Sequence, residues 1–223
     1  TRAGQPFVTL NCSGIPRQLL EGELFGVERK YGMENFIEGR PGKFELANGG
    51  TLFINEVSEL PLDLQVKLMK AIQDKKISRI GGENVFDVNV RLICATNKDL
   101  SELCRDGSFR QDLYYRLDVL SIKTTPLREQ KDSIDKLSKH IVNRMNKKLG
   151  KGNIELDESA LNILRQYDWP GNVRELENAL ERAVNVCEDK KITENHIPNY
   201  INATIKDGEN SNKLGLMPAN TYE

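Results

Sequence analysis

The feature that most constrains this chain is an alternation between two periods. Residues 51–54 form a short apolar run introduced by Gly49-Gly50, and residues 90–95 form another. Between them, Pro61 opens a segment in which Leu64, Leu68 and Ile72 recur every four residues, which is one face of a helix. The two runs are therefore strands separated by a helix. Residues 7–12 read as an earlier strand closed by the turn residues Gly14 and Pro16, and residues 17–26 read as a short helix. Residues 27–43 are polar, carry glycine and show no period, so they are assigned to an ordered loop or insertion. Gly81-Gly82 marks a turn, a helix is expected near 109–117 and a fourth strand over 119–124. Strands joined through helices imply a mostly parallel sheet covered on both faces, an α/β fold.

Beyond Asp132 the strand signals stop. Ile134, Leu137, Ile141 and Met145 fall at helical spacing. A second helix starts after Asp157, a plausible N-cap, and carries Leu161 and Leu164. A third spans about 172–187, with Leu176, Leu180, Val184 and Cys187 on one stripe and Asn172 as its expected cap. The expected organisation is an α/β subdomain over 1–130, a small all-helical subdomain over 131–202, and a polar, flexible tail or linker over 203–223.

The rest of the composition narrows the class. With 223 residues the chain has enough length for a substantial core, and a net charge of -1 offers no global basic field for nucleic acid or an anionic membrane. Its four cysteines and two histidines show no C-x-x-C pairing or zinc spacing. Cys12 and Cys94 sit in apolar runs, as core residues do. No signal peptide is evident and no apolar run approaches the ~20 residues needed to span a bilayer. A cytoplasmic protein with reduced thiols is expected.

Polar residues cluster where these elements end. Asn55-Glu56 follows one strand and Thr96-Asn97 another, and in a parallel sheet the carboxyl ends share the edge where ligands bind. A carboxylate and amides converging there can place a water against a phosphate, or each can simply cap its own loop. In "FRQDLYYRLDV", Arg110 and Arg116 lie six residues apart, so on one helix they diverge by an angle equivalent to about 240°. They are either solvated ends of an amphipathic helix or groups that meet a neighbouring subunit's phosphate. Arg174 sits in the first turn of the helix after Trp169-Pro170-Gly171, where the helix dipole disfavours a cation and an anion nearby would account for it.

The strings "PFVTLNC", "LLEGELFG", "RPGKFELANGGTLFINEVSELPLDLQVKLMKAIQ", "VRLICATNKDL", "FRQDLYYRLDVL", "PLRE" and "WPGNVRELENALERAV" resemble, in order, the central AAA+ domain of bacterial enhancer-binding transcription activators, the sigma-54 interaction domain. The match covers about residues 5–200. The resemblance implies a P-loop-type parallel sheet followed by a helical lid, with ATP and Mg²⁺ as cofactors of the complete domain. It implies that Asn55 and Glu56 stand at the Walker B pair, with Asn55 meeting magnesium through a water. Thr96-Asn97 would be sensor I, Arg110 and Arg116 the pair that reaches a neighbour's nucleotide in a ring, and Arg174 sensor II. Its partners would be copies of itself in a hexamer or heptamer and the RNA polymerase sigma-54 holoenzyme, with DNA reached only through a helix-turn-helix that usually follows.

Three departures qualify this. No G-x-x-x-x-G-K-[ST] phosphate loop occurs, and in the family that loop and its preceding strand, the central one of the sheet, fall immediately upstream of the position of Thr1. Asn55 replaces the Walker B Asp, an amide bringing no charge to magnesium. The sigma-contacting GAFTGA loop is replaced by "VERKYGMENFIEGRPG", in which Tyr31 or Phe36 would have to serve as the aromatic tip. The expected function is a transcription regulator of the sigma-54-dependent type with impaired hydrolysis. The alternative is a non-hydrolysing interaction and assembly module, and a self-sufficient DNA-binding repressor is a third reading.

Overall fold

A computed structural model describes residues 2–28 and 39–203. The loop residues Tyr31 and Phe36, and the polar segment after residue 203, lie outside the described residues. In chain order the elements are β1 (Phe7–Asn11), α1 (Arg17–Phe25), β2 (Gly26–Val27), β3 (Arg40–Pro41), α2 (Lys43–Leu46), β4 (Thr51–Asn55), α3 (Leu62–Asp74), β5 (Lys76–Ser78), β6 (Val85–Asp87), β7 (Arg91–Ala95), α4 (Leu100–Arg105) and α5 (Gln111–Leu117). They are followed by α6 (Ile134–Leu149), β8 (Glu155–Leu156), α7 (Glu158–Gln166), α8 (Asn172–Val186) and β9 (Lys191–Ile192). The chain divides into two compact units between Ile122 and Lys123.

The first unit is built on a three-stranded parallel sheet in the order β1-β4-β7. Gly49-Gly50 explains how β4 reaches the middle. Gly49 has φ +78°, and a Cβ on Gly50 would lie 2.0 Å from the Pro6 carbonyl oxygen, where the Thr51 N–H donates at 2.8 Å. In this register Val8, Leu52 and Leu92 share one face with Leu10, Ile54 and Cys94. Leu52 and Ile54 are fully buried there against Leu20 and Leu24 of α1, Phe44 of α2 and Leu64 and Leu68 of α3.

The opposite face corrects the expectation of a sheet covered on both sides. Phe7 is 63% exposed and Ile93 37%, and with Phe53 they lie outside the buried core of this unit. The fourth strand is a second correction. Residues 119–124 leave α5 through a turn at Val119 and a bend at Leu120 and pair with no strand among the described residues, and Val119, Leu120 and Ile122 are each at least 80% exposed. β-branched residues favour an extended backbone, but a strand exists only when a neighbour accepts its ladder of hydrogen bonds. Two short antiparallel pairs, β2–β3 and β5–β6, complete the unit, the second closing around the Gly81-Gly82 turn.

In the second unit α6, α7 and α8 enclose a core of Ile134, Ile141, Leu161, Leu164, Leu176, Leu180 and Val184, to which Leu127 also belongs. Asp157 caps α7 by accepting the Ser159 N–H at 3.0 Å. Trp169 is fully buried, donates from Nε1 to the Leu164 carbonyl at 2.8 Å and meets Tyr167 edge-on at 5.0 Å. Asn172 does not cap its own helix as expected. Gly171 is the N-cap, and Asn172, at φ +52°, turns its Oδ1 to the Leu127 N–H at 2.8 Å. The pair β8–β9 adds a two-residue parallel ladder that no periodicity in those residues announces.

Candidate functional site

The parallel register brings three polar termini to one edge. Asn11, Asn55 and Ala95 are lateral partners at the carboxyl ends of β1, β4 and β7, so Glu56 and Thr96-Asn97 leave the sheet side by side. Glu56 adopts a left-handed conformation, φ 54° and ψ 52°, which is uncommon for a residue with a side chain and turns the chain sharply into the 3₁₀ turn Val57–Glu59. That turn returns the Glu56 carboxylate towards β7. The backbone N–H of Asn97 donates to Glu56 Oε2 at 3.3 Å.

The neighbouring side chains are held in turn. Thr96 Oγ1 donates to Ser58 Oγ at 2.9 Å and accepts the Lys98 N–H at 3.1 Å, while Lys98 Nζ pairs with Glu59 at 2.7 Å. Asn55 Nδ2 donates to Asn11 Oδ1 at 3.4 Å, and that oxygen also accepts Ser13 Oγ at 3.0 Å. Behind them, burial first and then the Glu59 and Glu56 carboxylates push the Cys12 thiol up to about 11.

The Arg110 and Arg116 side chains take no part in these bonds. Arg110 is the N-cap of α5 and not a residue within it, so the helical angle between Arg110 and Arg116 does not apply. Its guanidinium makes a two-pronged pair with Asp112, at 3.0 Å from Nε and 2.7 Å from a terminal nitrogen. Arg116, in the last turn of α5, and Arg174, in the first turn of α8, are exposed and make no hydrogen bond or ion pair among the described residues. The structure thus gathers Asn55, Glu56, Thr96 and Asn97, and leaves the Arg110 and Arg116 side chains outside their hydrogen-bond network.

Asn11 and Ser58 are the residues that pattern reading passed over. A signal for Asn11 exists, because β1 and β4 read "FVTLN" and "TLFIN" and end in the same amide. Ser58 carries no such signal. Its role depends on the turn that Glu56 makes.

The donor set at this edge is poor in charge for a magnesium ion. Its carboxylates are Glu56, which accepts the Asn97 N–H, and Glu59, which is paired with Lys98, beside the neutral amides of Asn11 and Asn55, and the described residues contain no group of three His, Cys, Asp or Glu able to hold a metal. Magnesium is ordinarily held by one or two carboxylates together with substrate phosphates. With Glu56 and Glu59 already engaged and amides at Asn11 and Asn55, the residues present do not fit a protein-held ion.

A parallel sheet with a polar edge, followed in the chain by a helical unit, defines the class of this α/β protein, and comparison with known proteins places it. Residues 1–123 match the sigma-54 interaction domain and residues 128–214 the AAA+ ATPase lid domain, so the chain belongs to the sigma-54 interaction domain family. It is 46% identical over 191 residues to the response regulator protein PilR of Pseudomonas aeruginosa, covering 86% of this chain and 43% of PilR. It is 43% identical over 200 residues to the nitrogen fixation protein VnfA of Azotobacter vinelandii, covering 90% of this chain and 38% of VnfA. The chain spans less than half the length of these relatives. Among solved structures, NtrX from Brucella abortus in complex with ATP superposes with a TM-score of 0.83 at 30% identity, covering 92% of this chain and 45% of NtrX.

Proposed function

We propose that this chain is the ATP-dependent ring-forming module of a sigma-54-dependent transcription regulator. Glu56 orients the attacking water, and Thr96 and Asn97 read the terminal phosphate. Asn55 stands where the family resemblance places an acid, and its amide brings no charge there. Arg110 and Arg116 act on the nucleotide of the adjacent subunit, Arg174 contacts nucleotide from the lid, and the ring remodels the sigma-54 holoenzyme.

The observation that carries this reading is the Glu56 carboxylate, held at the end of the central strand in a strained backbone and bonded to the Asn97 N–H. Support comes from family membership and from the ATP complex of NtrX. The test is Glu56→Gln in the whole protein. Loss of a positioned acid–base group costs about 10²–10⁴ in rate, with ATP affinity kept. Unchanged phosphate release from the variant would sink the reading.

One feature favours a second reading, assembly without hydrolysis. Asn55 brings no charge and spends its amide on Asn11. Ring formation in ATP with no phosphate release above background would select it.

A further inference from the structure

One polar side chain in the first unit is fully buried and belongs to no part of the site above. Gln65, on α3, has no exposed surface. Its Nε2 donates to the carbonyls of Leu60 at 2.8 Å and Ser108 at 3.0 Å, and its Oε1 accepts the backbone N–H of Arg110 at 2.8 Å. Both amide protons are spent on main chain. An apolar residue of similar length would fill this position without the cost of burying an amide, so the glutamine is explained by the groups it holds.

Those groups lie on two different arms. Leu60 closes the 3₁₀ turn Val57–Glu59 that Glu56 begins. Ser108 and Arg110 flank Phe109, which is buried in the core, and Arg110 is the N-cap from which α5 departs. Arg110 has an extended backbone, φ −78° and ψ 132°, so its N–H has no helical partner and Gln65 supplies one. With Asp112 holding the guanidinium, the placement of Arg110 is fixed by Gln65 at the main chain and by Asp112 at the side chain.

We infer that Gln65 is a positioning residue that ties the Glu56 turn to Arg110, so that movement of one is transmitted to the other. The inference rests on the reading above that Glu56 serves the subunit's own ATP and Arg110 that of its neighbour. Gln65 then joins successive nucleotide sites around the ring.

The test uses Gln65→Met in the whole protein. Expected are a kcat about tenfold lower with KM within about twofold, and amide exchange at Arg110 at least about tenfold faster. In an Arg110→Ala background the same substitution is expected to change kcat by less than about twofold, because residues acting through one another are not additive. Gln65→Glu keeps the oxygen that Arg110 bonds, and is expected to retain slow Arg110 exchange and more of kcat than Gln65→Met. Phe109→Leu, which loosens the same segment without touching these bonds, is expected to lower the Tm while kcat stays within about twofold of the parent. Additive losses of Gln65→Met and Arg110→Ala, or a kcat loss of equal size in Phe109→Leu, would overturn the inference. So would unchanged Arg110 exchange, whatever the activity. Faster Arg110 exchange in a protein whose parent form has no ATP turnover would remove the hydrolytic reading and leave the Gln65 link standing.

Discussion

Asn55 donates from Nδ2 to Asn11 Oδ1 at 3.4 Å, so two amides face each other at the end of the central strand pair. Replacing one by an acid changes two things at once. Asn55→Asp loses the donor that Asn11 accepts, and it adds a negative charge beside Glu56. In the whole protein, phosphate release is expected to rise and to need less magnesium, with a stability loss of about 1 kcal/mol from the broken hydrogen bond. Phosphate release titrated against magnesium checks this. A rate unchanged at every magnesium concentration would show that position 55 plays no part in metal binding.

The 223-residue chain alone is expected not to turn over ATP. It contains no glycine loop bearing a phosphate-binding lysine, and its Walker B position is an amide. Phosphate release at saturating ATP and magnesium is the measurement. A rate near ~1 s⁻¹, at the low end of ordinary enzyme turnover, would refute the expectation.

Arg116 is exposed on α5 with no partner among the described residues, so its removal should cost the fold little. If it acts across a subunit boundary, Arg116→Ala lowers hydrolysis by about 10³-fold, at the weak end of what an arginine finger contributes, and leaves ATP affinity nearly intact. Equilibrium nucleotide binding beside steady-state turnover separates the two effects. A variant that instead loses thermal stability as a monomer would mark Arg116 as a structural residue.

Burial pushes the Cys12 and Cys94 thiols from the ordinary 9.0 to about 11 and about 12. Because the folded-state values lie above the unfolded ones, both thiols favour folding fully below pH 9, and that contribution is lost as pH rises towards 11–12. Denaturant titrations should show stability falling over this alkaline window. The fall should be shallower in Cys12→Ala/Cys94→Ala, whose lower starting stability is set by measuring both proteins at pH 8. Parallel curves would show that the thiols do not titrate on unfolding.

In the helical unit, Trp169→Ala removes a fully buried ring and the bond from Nε1 to Leu164. The expected loss is about 3–5 kcal/mol, read as a shift in the denaturant midpoint of that unit. Trp169→Phe keeps most of the volume and should cost less. Equal losses in the two variants would show that the ring's volume contributes nothing beyond its hydrogen bond.

Much of the polar edge was legible from the order of residues. An apolar run that stops at Asn55-Glu56 and another that stops at Thr96-Asn97 place four polar groups at strand ends, and a parallel sheet delivers strand ends to one side. The helices of the second unit were legible for a similar reason, because Leu161, Leu164, Leu176, Leu180 and Val184 repeat with the helical period and are buried. Periodicity is local, and local geometry is what a stretch of sequence encodes directly.

What the tertiary structure decided are the relations between residues far apart in the chain. Residues 119–124 have the side chains of a strand and are exposed coil, because no described strand pairs with them. Asn172 has the side chain of a helix cap and instead serves Leu127, 45 residues away. Gln65 looks like a surface residue of an amphipathic helix and is buried between Leu60, Ser108 and Arg110. In each case the deciding quantity is a hydrogen-bond partner, and a buried donor or acceptor takes whichever partner the packed fold brings within about 3 Å.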